Sequence, residues 1–198
     1  MTYGNSLQLT EISAEKHEPV RLDEVKLHLN KSTDEEDDKI EDQIREARQH
    51  IEDLTGRSII EKTWTLNLPA FCAEVVLPKP PVVDITSVDY YNTDSPEVLT
   101  NWAAANYRLD RPGHRLLLVP GVTLPATANR HDAVQITYRT GYIKLDSPEV
   151  LDVPWSLRAA IKLVVSDLYE NREAQSQLRL QNNERFMSLI SPYRVMSG

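Results

Sequence analysis

Hydrophobic residues first fall into register near Arg21, where Leu22, Val25 and Leu29 recur at helical spacing until Asn30, Lys31 and Ser32 interrupt them. That pattern predicts a short helix. Thr33 stands three residues before Glu36, the spacing of a capping box in which each side chain satisfies an unpaired backbone N–H. A long helix is predicted to follow. Its apolar positions Ile40, Ile44, Ala47, Ile51 and Leu54 step by 4, 3, 4 and 3, forming one stripe that must bury against another element. Gly56 suits the left-handed conformation that closes a helix, giving a rod of roughly 30 Å at 1.5 Å per residue.

From Thr63 to Tyr142 the pattern shortens to segments rich in β-branched and aromatic residues, and ten of the twelve prolines lie between Pro69 and Pro154. Strands are predicted at 63–68, 74–77, 85–91, 107–110, 115–119 and 133–138, with loops at 92–104 and 120–132. Pro112-Gly113 marks a tight turn, and Pro78, Pro80 and Pro81, unable to donate to a ladder, belong between strands or on an edge. Helical spacing returns after Pro154, itself suited to a first helical turn, with Leu157, Ile161, Val164 and Leu168 at steps of 4, 3 and 4. The simplest way to bury both stripes is against each other. The expected fold class is therefore α+β: a helical core formed by N- and C-terminal helices, with a β-rich insertion in the middle. Residues 1–60 form the N-terminal helical part, 61–145 the insertion, and 146–198 the C-terminal helix of the core with a polar tail. Within that tail, Phe186, Leu189 and Ile190 are placed to make a last short amphipathic turn. There is no internal repeat.

A chain of 198 residues with 40% hydrophobic side chains is long enough to bury a sizeable core. Its apolar runs, such as 116–119 and 163–165, fall far short of the roughly 20 residues of a membrane span, and the start at Met1 to Thr10 has no leader-like pattern. No membrane role is expected. A single cysteine, Cys72, has no internal disulfide partner, and its neighbours Phe71 and Ala73 favour a buried structural thiol over a reactive one. The net charge of -8 is concentrated: residues 11–54 hold 15 acids and 7 bases, leaving 15 of each elsewhere. An acidic surface repels phosphate, which argues against tight or sequence-specific DNA binding while leaving transient passage of DNA open.

Candidate chemistry is sparse. Six scattered glycines do not build a phosphate-cradling loop, and His17, His28, His50, His114 and His131 show no metal-ligand clustering. The run from Asp34 to Asp38 lacks the glycine and terminal glutamate of a calcium loop. A helix N-terminus, where the macrodipole favours negative charge, explains it better, with Glu41 and Arg45 as an i,i+4 pair beyond. Asp84, Asp89, Asp110 and Asp132 lie in or near the β section, where paired carboxylates carry out hydrolysis in some enzymes, but solvated strand ends are the expected role. Tyr90, Tyr91, Trp102 and Tyr107 are expected in core packing or cross-strand pairs rather than stacking on a ligand. The chain is read as having no catalytic, cofactor-binding or metal residues and as needing no cofactor.

Taken in order, several stretches resemble the head-tail connector, or adaptor, proteins of long-tailed phages and gene transfer agents. They are Pro19-Val20-Arg21-Leu22-Asp23-Glu24-Val25-Lys26-Leu27-His28-Leu29, Ile51-Glu52-Asp53-Leu54-Thr55-Gly56-Arg57-Ser58-Ile59-Ile60 running into Thr63-Trp64, and Leu77-Pro78-Lys79-Pro80-Pro81 before Ile85-Thr86-Ser87-Val88. Further on come Val134 to Tyr142, Val153-Pro154-Trp155-Ser156-Leu157, Leu168-Tyr169-Glu170-Asn171-Arg172-Glu173 and Ser191-Pro192-Tyr193-Arg194-Val195. The order and spacing of these pieces, more than any one of them, carry the resemblance over nearly the whole chain.

The resemblance implies a non-enzymatic structural subunit in the virion neck, present in the host cytoplasm during assembly. It implies a homo-oligomeric ring of twelve copies between the portal protein and a head-completion, stopper or tail-terminator protein, with DNA passing through the channel without specific binding. Rings use heterologous contacts, so each subunit must offer two complementary surfaces. Arg179, Arg185 and Arg194, with Phe186 and Tyr193 as apolar anchors, are expected to dock the tail on the portal or a neighbouring subunit. For Glu170 and Arg172 two readings stand: an inter-subunit contact, or a plain helix C-terminal region with Tyr169 covering the core. Part of the acidic segment is expected to face the channel. The alternative function is an accessory or receptor-binding virion module whose β section recognises a ligand in a concave aromatic site; a carboxylate hydrolase comes third.

Overall fold

The computed structural model describes residues 8–14, 17–94, 96–144, 147–170 and 183–195. The chain divides into two compact units, residues 1–15 with 61–141 and residues 16–60 with 142–198.

In the second unit, α1 (Leu22–His28), α2 (Asp37–Thr55), α3 (Trp155–Glu170) and α4 (Glu184–Ile190) surround one core. The two stripes read from the sequence meet there. Ile40, Ile44, Ala47 and Ile51 of α2 are buried against Leu157, Ile161 and Val164 of α3, while Leu54 and Leu168 close the edges partly buried. Helix α4 enters through Phe186 and Ile190, four residues apart and both buried, so the 183–195 stretch is held by its own apolar pair. Side-chain burial of this kind, about 1.5–3 kcal/mol for each large residue, is what stabilises so short a helix. The Asn183 side chain caps it, accepting from the backbone N–H groups of Arg185 and Phe186 at 3.0 and 3.2 Å.

The expected capping box does not form. Helix α2 starts at Asp37, its N-cap is Glu36, and no side chain caps it; Thr33 therefore lies a turn too early. The Glu36 carboxylate instead accepts from the Tyr169 hydroxyl and pairs with Lys39. The acidic start of the helix is satisfied from α1, where Lys26 reaches Asp34 at 2.6 Å and Asp37 at 2.7 Å. At the other end Gly56 sits at φ 71°, and its N–H returns to the Glu52 carbonyl at 2.8 Å, the left-handed closure that glycine permits without a Cβ clash. Pro154 precedes α3, and its carbonyl accepts from Leu157 and Arg158.

The described residues of the first unit are strands and their connections, with one 3-10 turn at Ala104–Asn106. A five-stranded antiparallel sheet runs β1 (Gln8–Ala14), β2 (Lys62–Leu68), β8 (Val134–Thr140), β4 (Val82–Tyr91), β5 (Leu99–Asn101), and a three-stranded sheet runs β3 (Glu74–Val76), β7 (Arg115–Leu118), β6 (Tyr107–Asp110). A short pair, β9 (Ile143–Lys144) and β10 (Ser147–Leu151), lies in the helical unit. Strict alternation sets the register of the large sheet: Trp64 faces Tyr138, Leu66 faces Ile136 and Leu68 faces Val134, all six buried. Val75, Leu77 and Leu116 from the smaller sheet join the same core. The β6–β7 hairpin turns through Pro112-Gly113, as the sequence predicts, with His114 at φ 52°.

Two further expectations change. Residues 1–60 are not wholly part of the helical body, because Gln8–Ala14 pairs with β2 as an edge strand, a long-range pairing that no local period announces. Cys72 is half-buried rather than buried, packed at the margin of the β core beside Phe71.

Candidate interaction surfaces

Two stretches that lie 136 residues apart in the sequence meet at the end of α2. The Arg57 guanidinium donates to the Tyr193 carbonyl, and the Val195 N–H donates to the Thr55 carbonyl at 2.8 Å. A Cβ added to Gly56 would stand 3.4 Å from the Val195 side chain. The segments 54–57 and 191–195 therefore clasp each other. Beneath them Glu52, 2% exposed, accepts from Arg48 at 2.8 Å and from the Ile59 N–H at 2.7 Å, while Glu18 holds the other side of Arg48 at 2.9 Å. These carboxylates raise the Arg48 pKa against the opposing effect of burial, which is the largest single influence on it. The cation is thus fully matched, as a buried charge requires.

This clasp fixes where the expected docking residues lie. Phe186 is 0% exposed and belongs to this chain's own core, so it is not a surface anchor: a phenyl ring four residues from Ile190 buries more apolar area inward than a polar tail offers outside. Tyr193 is half-buried against the same core. Arg185 and Arg194 are exposed, and Arg179 lies outside the described residues. Glu170 is exposed at the last position of α3, and Arg172 lies outside the described residues. Tyr169 packs against the helical core. Its ring sits below the Lys39 and Lys31 ammonium groups at 4.8 and 5.2 Å, and its hydrogen bond, with help from Lys39, lowers the Glu36 pKa.

The carboxylates of the β section do not converge as an acid-base pair. Asp84 is held by Arg139, with Glu61 on the same guanidinium; Asp110 faces Arg115; Asp89 accepts from Ser87 and Asn101. Asp132 is bridged by Arg130 at 2.6 Å, which lowers the Asp132 pKa. An open hollow of about 600 Å³ beside it is lined by Pro69, Glu97, Asn129, Arg130, His131 and Asp132, with no Phe, Trp or Tyr in that lining. Arg130 is already occupied there, reaching Glu97 and lying 3.6 Å from the Tyr91 ring centroid. Trp102 is buried, stacks with Tyr107 at 5.8 Å and meets Phe71 in a tilted contact at 4.7 Å, while Tyr90 packs on Phe71. These rings are core. Among the described residues no three His, Cys, Asp or Glu side chains gather as metal ligands, and no helix is long and apolar enough to cross a membrane.

Sequence reasoning passed over one surface feature. Trp155, the first residue of α3, is 75% exposed, whereas Trp64 and Trp102 are 8% and 6% exposed. The Arg158 guanidinium lies 4.5 Å from the Trp155 ring and donates to Glu24 of α1 at 2.7 and 2.8 Å; Lys162 meets the same carboxylate at 3.0 Å. Burial pushes the Glu24 pKa up, but the two cations outweigh it and hold the carboxyl below its ordinary value. One turn along α1 from Glu24, Leu27 is 79% exposed. The signal was available in the helical period: Trp155 falls off the Leu157-Ile161-Val164 stripe.

Residues 19–101 match the model of the Phage gp6-like head-tail connector protein family. The chain carries the head-tail connector pattern over that span, in agreement with the resemblance read from its motifs. Three solved structures are similar over nearly the whole chain. A chain in the neck of an empty GTA particle, computed with C6 symmetry, is 24% identical with a TM-score of 0.73, covering 96% of this chain and 97% of that one. One in the virion of a native gene transfer agent particle is 23% identical with a TM-score of 0.74, covering 96% of each. One in the neck of a native GTA particle, computed with C12 symmetry, is 25% identical with a TM-score of 0.70, covering 96% and 97%. No curated protein matches the chain.

Proposed function

We propose that this chain is the head-tail connector subunit of a tailed phage or phage-like particle, twelve copies of which form a ring in the neck through which DNA passes. The observation that carries the reading is the match of residues 19–101 to the connector family; the likeness along 96% of the chain to a component of a neck with C12 symmetry supports the ring. In this reading the portal lies on one side and a head-completion, stopper or tail-terminator protein on the other. The role is structural, not enzymatic: the β-section carboxylates are occupied by arginines, a serine and an amide. Exposed acids on α2, including Asp38, Glu41 and Asp42, with Glu35 just before it, suit a channel wall that keeps DNA from sticking. The accessory-module alternative is not favoured, since Trp102, Tyr90 and Tyr107 pack in or against the β core and Tyr91 is covered by Arg130.

Docking on the portal or a neighbouring subunit is assigned to Arg185 and Arg194, with the exposed part of Tyr193 and with Arg179 beyond the described residues; Glu170 and Arg172 are assigned to contact between subunits. Deleting the tail is a poor test, because it removes Phe186 and Ile190 from the core. The decisive experiment is imaging of purified particles at a resolution that traces this chain. Twelve copies between portal and tail are expected; absence from that joint would overturn the function. Charge reversal, Arg185→Glu with Arg194→Glu, is expected to reduce head attachment in an assembly assay while leaving the circular dichroism of the free chain unchanged.

A further inference from the structure

We infer that Arg57 is a positioning residue for the docking arginine Arg194: it holds the backbone on which that guanidinium is presented. The inference rests on the docking assignment above and names the part of the chain that prepares it. Both peptide planes beside the Arg194 Cα are tied down. In the one before it, the Tyr193 carbonyl accepts from Arg57 and the Arg194 N–H donates to the Ser191 carbonyl at 3.3 Å; in the one after it, the Val195 N–H donates to the Thr55 carbonyl at 2.8 Å. Peptide units are planar, so holding both planes fixes the φ and ψ between them, here at -65° and 127°. The freedom left to Arg194 is in its side chain.

The holding group is itself held. Arg57 also hydrogen-bonds the Tyr142 side chain, and Tyr142 packs against the helical core, so the clasp is tied to the body of the unit. Arg194, by contrast, has no task within the chain. Arg48, Arg130, Arg139 and Arg158 are spent on carboxylates, whereas the exposed Arg194 side chain has no acceptor among the described residues. Its planar fork of donors suits a carboxylate on the docking partner. A group ordered before binding loses less entropy when it binds, and that saving is what Arg57 contributes.

The test supplies the full chain to purified heads that lack it and reads the concentration giving half-maximal tail attachment. Arg194→Ala is expected to raise that concentration about tenfold and Arg57→Met about fivefold. Because Arg57 acts through Arg194, adding Arg57→Met to Arg194→Ala is expected to change it by less than about twofold. A further loss of about fivefold in the double variant, or no effect of Arg57→Met alone, overturns the inference and leaves the docking assignment intact. No effect of Arg194→Ala overturns both, and heads that attach tails without this chain overturn the connector reading itself. Hydrogen exchange separates positioning from a general loss of structure: the Val195 amide of the free chain is expected to exchange about fivefold faster in Arg57→Met, with the amides of α2 unchanged, and an unchanged Val195 rate overturns the inference. Should Arg57→Met not fold, the unaltered free chain decides. Its Val195 amide is expected to exchange at least about tenfold more slowly than an unprotected amide, and unprotected exchange overturns the inference.

Discussion

The helical and β units solve the problem of buried polarity in different ways. In the helical unit, segments from two separated parts of the sequence converge, and the polar groups sealed between them include a charged set: Arg48 sits between Glu18 and Glu52. In the β unit, most of the core comes from one continuous stretch, and beside the buried Lys62 its sealed polar groups include neutral pairs. Trp64 donates its indole N–H to Thr140 at 3.0 Å, and Tyr138 donates to the Pro78 carbonyl at 3.1 Å. A sheet satisfies its own backbone through its ladders, so its side chains need few polar partners. A helix end does not, and the turn that follows α2 is satisfied by the Glu52 carboxylate. The helical unit is therefore the one in which a single polar substitution does most damage.

The contrast is broken most severely at Phe186. Phe186→Ala removes a fully buried ring from the helical core and is expected to cost about 3–5 kcal/mol, read from urea unfolding followed by far-ultraviolet circular dichroism; a loss under about 1 kcal/mol would mean that the tail is not part of the core. Next is the matched comparison of polar pairs. Glu52→Ala removes one of the two carboxylates on the buried Arg48 and strands the Ile59 N–H, and is expected to cost about 3 kcal/mol, whereas Trp64→Phe, which forfeits one neutral bond in the β unit, costs about 1 kcal/mol. Equal losses would erase the distinction drawn between the units.

Acid sharpens the comparison at smaller scale. The Glu24 pKa is lowered in the folded chain from an ordinary value of 4.5, so its contribution is fully present above that pH and is lost as pH falls through the lowered value. The thermal midpoint is expected to drop as the solution is acidified below pH 4.5, and less steeply in Glu24→Gln than in the unaltered chain. Identical slopes would show that the Glu24–Arg158–Lys162 cluster does not report on folding.

Much of this was legible from spacing. The stripes on α2 and α3, their mutual burial, the closure at Gly56, the hairpin at Pro112-Gly113 and six of the strands follow from periods of 3.6 and 2 and from residues with restricted backbone geometry. What escaped was non-local. Gln8–Ala14 and Leu99–Asn101 have little pattern of their own and are strands because an edge was free to receive them. Thr33 and Glu36 had the right spacing for a cap, but Glu36 found stronger partners in Tyr169 and Lys39. Phe186 read as a surface anchor because the stretch around it is polar, and only its i,i+4 relation to Ile190 pointed inward.

The family resemblance was likewise readable from ordered motifs, although not what those motifs do. The 54–57 and 191–195 stretches looked like independent fragments, and the fold makes them the two halves of one clasp. By itself the sequence determined the α+β class, the helix faces and the connector resemblance, because those depend on local periodicity and order along the chain. The tertiary structure alone decided which carboxylates are consumed by arginines, which aromatics are core, and that Trp155 remains exposed, because burial is settled by what the distant chain brings against each side chain.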